Sequence, residues 1–117
     1  MIDIQLQQDE AKVVITVDGQ LFTEYRYGHF TCRPCFYPVQ TPAGAGLTRS
    51  YPFAEVDGEN QDHYHHRSIY TAHGDVNGFN IWDEGVGGLG HGSMLQRGEP
   101  VVGLAGSTAQ IDGIVDW

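Results

Sequence analysis

The sequence predicts an all-β fold, an antiparallel β-sandwich, and three observations carry that prediction. Apolar and polar residues alternate with a period of two in several stretches, and no segment of useful length shows a 3.6-residue apolar period. Asp18-Gly19 stands between two β-branched and aromatic runs, a strong hairpin signal because both turn residues tolerate positive φ. Sixteen glycines and five prolines in 117 residues, with few Leu, Ala or Lys, argue against a helical bundle.

In chain order, Ile2–Leu6 alternates as a half-buried strand, and Lys12–Val17 and Gln20–Tyr27 are the arms of the hairpin. Tyr27–Val39 is aromatic but holds Pro34 and Pro38, which lack backbone donors, so a strand here is short or lies at an edge. Thr41–Gly46 reads as a loop, and Leu47–Phe53 resumes an extended pattern that Pro52 stops. Glu55–Asp62 is an acidic surface loop. Ser68–Ala72 and Phe79–Trp82 read as short strands around a turn at Val76–Gly78. Asp83–Gly98 is glycine-rich and reads as a loop, and Val101–Ala105 with Ala109–Val115 forms a final strand pair. The whole, residues 1–117, is read as one domain. Ile111–Trp117 alternates up to a terminal Trp, which would leave a sheet edge in need of a partner. Two expectations follow: that this is the front part of a longer domain, or that the chain self-associates through its C-terminal strand.

Fifteen acidic residues against six basic ones give a formal charge of −9. Such a field repels phosphate backbones and anionic lipid, so neither nucleic acid nor a membrane surface is the expected partner. No apolar run approaches the roughly 20 residues of a membrane span. Met1–Lys12 lacks the basic start, apolar core and cleavage site of a signal peptide. A cytoplasmic protein is expected, and a secreted or periplasmic one if a leader precedes this sequence.

Two motifs match familiar patterns without their context. Gly85–Gly90 spells GxGxxG, but glycines and Pro100 follow it instead of the helix that a pyrophosphate site requires. Cys32-Arg33-Pro34-Cys35 is a CxxC with Phe36-Tyr37-Pro38 after it, so no helix N-terminus activates its first thiol. Two reduced cysteines on a strand is the favoured reading; a zinc site shared with two histidines is the alternative.

The concentrated chemistry lies in Gln61–Trp82. Four of six histidines fall between Asp62 and Asp75, with Arg67 among them. If Asp62–Arg67 is extended, His63 and His65 share one face while Asp62, Tyr64 and His66 share the other. His73 and Asp75 repeat the two-residue spacing ten residues later. Histidines with a carboxylate and open positions suit a divalent ion such as Fe, Mn, Zn or Cu. Without metal, the same groups suit acid–base work, with Asp75 orienting an imidazole and Arg67 or Arg49 holding a polar substrate. The plain alternative is that the imidazoles cap loops. Aromatic neighbours, including Tyr37 and Trp82, are types that stack on sugar rings or close a pocket.

Arg33-Pro34, Phe36–Val39, Thr41-Pro42, Leu47–Arg49, Tyr51-Pro52, Asp62–Arg67, Ala72–Gly78 and Trp82 together resemble the bacterial PmoA-like family, labelled "methane oxygenase PmoA". The resemblance covers Thr31–Trp82 well and the rest loosely. Cys35, Tyr64, Ser68 and Tyr70 depart from its pattern but leave the His, Asp and Arg set intact. It implies a β-sandwich of the aldose-epimerase (supersandwich) kind, members longer than this chain, and bacteria that degrade complex sugars. It implies family membership, not methane oxidation, because the methane monooxygenase subunit of that name is a membrane protein.

Residues and resemblance together lead to an enzyme acting on a carbohydrate or other hydroxylated small molecule. Its catalytic groups are His65, His66, His73, Asp75 and Arg67. Arg33, Tyr37, Arg49, Asn77 and Trp82 bind substrate, and His63, His65, His73 and Asp75 are the metal ligands. The rivals are an iron or copper oxygenase, following the family label, and a saccharide-binding module without catalysis.

Overall fold

The computed structural model describes residues 1–28, 32–84 and 91–117. Its regular structure is antiparallel strand, consistent with a β-sandwich, with one short 3-10 turn at Gln8–Glu10 and no α-helix among the described residues. Five strands form the main sheet in chain order: β1 (Ile2–Gln7), β2 (Lys12–Val17), β3 (Gln20–Arg26), β4 (Cys35–Val39) and β5 (Ile69–Tyr70). A hairpin of β7 (Val101–Ala105) and β8 (Thr108–Asp112) lies against β1. A two-stranded ribbon joins β6 (Leu95–Gln96) to β9 (Val115–Asp116).

Local chemistry accounts for most of these elements. Asp18 and Gly19 both have positive φ, 50° and 77°, as the β2–β3 turn requires. Register then sorts side chains by face: Leu6 lies opposite Val13, Ile4 opposite Ile15, Val13 opposite Tyr25, and Tyr25 opposite Phe36. These make the apolar face. The other face carries Val14, Glu24, Arg26 and Cys35, with Tyr70 of β5 opposite Cys35. Pro38 is tolerated because β5 is only two residues long and pairs with Cys35 and Phe36 alone.

Several expected elements form differently. Leu47–Phe53 is not a strand; the amides of Phe53 and Ala54 both donate to the Ser50 carbonyl, which closes a turn. Phe79–Trp82 contributes only isolated bridges, Val76 with Phe79 and Asn80 with His91. The final pair holds as β7–β8, but the chain leaves that hairpin at Gly113 and crosses to β6. Gly113 permits this because a Cβ there would sit 2.8 Å from the Gln96 side chain. The GxGxxG stretch, and with it part of the expected glycine loop, lies outside the described residues.

Among the described residues, Val13, Cys35, Ile81, Met94, Val39 and Tyr27 are the buried apolar ones, joined by the polar Arg33, Thr23 and Gln96. Ile81 packs under Gly92, where a Cβ would meet its Cγ1 at 2.7 Å and its Cδ1 at 2.9 Å. Gly92→Ala is therefore expected to overpack this contact and to lower stability by about 1–3 kcal/mol, read as a lower urea midpoint at unchanged m-value.

Candidate functional site

The histidine segment has no strand partner, so its backbone hydrogen bonds close locally. His66 N–H donates to the His63 carbonyl at 2.8 Å and Arg67 N–H to the His65 carbonyl at 3.1 Å. His63 and Ser68 take left-handed φ values of 44° and 58°. The expected extended run is thus a tight turn, and the face assignment changes with it. His66 turns to the same side as His63 and His65.

The ring centroids of His63 and His66 lie 4.9 Å apart and nearly parallel, at 13°. His65 meets both edge-on, at 5.5 Å from His63 and 4.5 Å from His66. One nitrogen from each ring lies within 4.8 Å of the others. Nitrogen ligands about 2.1 Å from one ion sit roughly 3–4 Å apart, so modest side-chain rotation closes the set. Burial, together with the neighbouring His66 and His63, lowers the pKa of His65; burial and His63 lower that of His66. Both rings therefore favour the neutral form in which imidazole binds metals.

The turn sits on a charged, aromatic bed. The Arg67 Nε–H donates to both oxygens of Glu84, at 2.7 and 2.9 Å. Arg33 Nε lies 3.2 Å from the same carboxylate, and an Arg33 Nη donates to the Trp82 carbonyl at 2.6 Å. Arg33 also covers the Tyr70 ring at 5.1 Å, and Tyr70 in turn stacks with His66 at 6.2 Å. The Tyr64 hydroxyl donates to the Asp83 carbonyl, and the Thr48 and Ser68 hydroxyls pair at 2.7 Å. The Trp82 ring stands 6.5 Å from His65 and is 45% exposed.

The other expected site residues have different placements. Of the four expected metal ligands, His63 and His65 are in the converging group, and His73 and Asp75 are not. His73 Nδ1 accepts from the Asp75 amide, and Asp75 accepts from the Gly78 amide, so both shape the turn that holds Asn77 at φ 54°. Arg33, expected to meet substrate, is 1% exposed and lies inside the fold. Arg49 grips the backbone of 60–63, and Tyr37 is stacked on Phe53 at 4.2 Å. Burial pushes the Cys35 thiol from 9.0 up to about 11, which leaves it protonated at neutral pH.

Glu84, Asp83, His91 and Glu59 are site residues that no sequence spacing marks. Asp83 accepts from the Asn80 amide nitrogen at 2.9 Å, and its other oxygen lies 3.4 Å from His91 Nδ1. Only the fold brings His91 to this carboxylate.

Fold and site together define an antiparallel β domain with a three-histidine cluster on a turn. The chain belongs to a family described as of unknown function, DUF6807, whose model matches residues 12–117. That match corrects the PmoA-like assignment. No curated protein matches the chain. No solved structure matches it either. No helix among the described residues is long and apolar enough to cross a membrane.

Two outcomes test this bed. Glu84→Gln leaves two guanidinium groups without their carboxylate and is expected to cost about 3–5 kcal/mol in denaturant unfolding. In the folded protein at pH 8, a thiol reagent is expected to label Cys32 and spare Cys35 until denaturant is added. The raised Cys35 pKa also contributes stability that is present below pH 9 and lost as pH rises toward 11.

Proposed function

We propose that His63, His65 and His66 hold a divalent metal ion, and that the chain acts there on a neutral hydroxylated small molecule, a sugar or a relative of one. The observation that carries this reading is the convergence of three imidazole nitrogens within 4.8 Å. Three nitrogen ligands leave one position open in tetrahedral zinc, and three in octahedral iron or manganese. A bound ion supplies Lewis acidity toward a substrate or water oxygen.

The surrounding residues favour a neutral ligand. Arg67 is engaged by Glu84 and Arg49 by Asp62 and backbone carbonyls, while the chain as a whole carries −9. An anion would meet few unengaged donors and an opposing field. Trp82, exposed beside His65, offers a ring face of the kind on which sugars lie. That exposure also supports a second reading, a saccharide-binding module in which the histidines only shape the pocket.

Titration with Zn(II) or Co(II), followed by elemental analysis of the dialysed protein, tests the first reading. One ion per chain is expected for the unaltered protein and for His73→Ala and Asp75→Asn. His63→Ala, His65→Ala and His66→Ala should each abolish stoichiometric binding. Equal binding in all five variants removes the metal site. If metal-free protein binds sugars as tightly as metal-loaded protein and Trp82→Ala alone abolishes this, the binding-module reading replaces it.

A further inference from the structure

The turn that carries the three histidines is gripped from one side by the segment just after Thr48. Arg49 directs its guanidinium at four acceptors within 60–63: the Asn60 carbonyl at 3.2 Å, the Asp62 carboxylate at 2.8 Å, the Asp62 carbonyl at 2.5 Å and the His63 carbonyl at 2.8 Å. The grip is returned. The Glu59 carboxylate accepts from the Ser50 amide at 3.0 and 2.8 Å and from the Tyr51 amide at 3.1 Å. Each segment thus lends one side chain to the backbone of the other, and the Arg49 guanidinium lies over the Tyr51 ring at 5.4 Å.

What this grip holds is an uncommon conformation. His63 has φ 44°, and a left-handed backbone costs a non-glycine residue roughly 1–2 kcal/mol. Its carbonyl receives two donors, Arg49 Nη from outside and the His66 amide from within the turn. The second of these bonds brings His66 onto His63. A planar fork with several donors suits such a cluster of carbonyls better than a single ammonium does.

We infer that Arg49 and Glu59 are positioning residues of the histidine site, a reciprocal clamp that holds His63 in its left-handed turn and thereby sets the spacing of the three imidazoles. The inference rests on the metal-binding reading of that site. It also assigns Arg49 to the loop and not to substrate.

Co(II) titration of the full chain, read by its visible absorption and accompanied by thermal melts, tests the clamp. Arg49→Ala and Glu59→Ala are each expected to weaken Co(II) binding by about 10–100-fold and to alter the band shape, as loss of groups that orient metal ligands does. Their combined loss should be smaller than the product of the two, because both cut one linkage. Arg49→Lys should fail to restore the affinity, since it keeps the charge without the fork. An unaltered chain that binds no Co(II) or Zn(II) overturns the metal reading and the clamp's role with it. An unaltered chain that binds, beside folded Arg49→Ala and Glu59→Ala variants with the same affinity and spectrum, overturns the clamp alone. Full recovery in Arg49→Lys overturns the fork geometry. Should Arg49→Ala fail to fold, Arg49→Lys and Glu59→Ala decide the question by the same two readouts.

Discussion

The carboxylate of Glu84 is the constraint on which the site depends. It is 2% exposed, and it lies between Arg33, 1% exposed, and Arg67. A carboxylate buried without partners would carry a desolvation penalty of several kcal/mol, and two guanidinium groups offset it. The three residues come from distant parts of the chain: Arg33 precedes β4, Arg67 follows His66, and Glu84 follows Trp82. Satisfying one buried charge therefore draws the histidine turn, the start of β4 and the Trp82 segment to one place. Such a cluster need not stabilise the fold more than apolar packing would, but its geometry is directional and few arrangements satisfy it.

The sheet supplies the platform, and its two faces divide the work. Ile4, Leu6, Val13, Ile15, Tyr25 and Phe36 line one face, where the β7–β8 hairpin approaches from β1. On the other face guanidinium groups and rings are layered: Arg26 over Tyr37 and Phe53, Arg67 over Phe53, and Arg33 over Tyr70. Each such contact contributes on the order of 0.5–2 kcal/mol, more where water is excluded. Tyr70 shows how register reaches the site. Paired with Cys35, it points to the polar face and meets both Arg33 and His66; a one-residue slip would turn it away.

Arg33 and Arg49 show what a sequence leaves open about an arginine. In a chain poor in basic residues, an arginine beside aromatic and histidine residues looks like a ligand for substrate. Arg33 instead serves a carboxylate and a carbonyl in the interior, and Arg49 serves the backbone of a neighbouring loop. Side-chain type shows what a group can bind, not whether a partner within the chain has already taken it. The same holds for His73 and Asp75, whose two-residue spacing resembles a ligand pair but whose polar atoms receive the amides of their own turn.

The sequence by itself determined the fold class, the Asp18-Gly19 hairpin and the stretch in which the histidines are concentrated. These follow from local rules: a period of two, turn residues with positive φ, and the concentration of one residue type. The tertiary structure alone decided which histidines converge, because that depends on a turn without a strand partner. It also decided what the arginines do, through contacts between residues 49 positions apart for Arg33 with Trp82 and 17 apart for Arg67 with Glu84. Spacing along the chain carries no record of such pairings; they exist only when a buried charge has to find its partner.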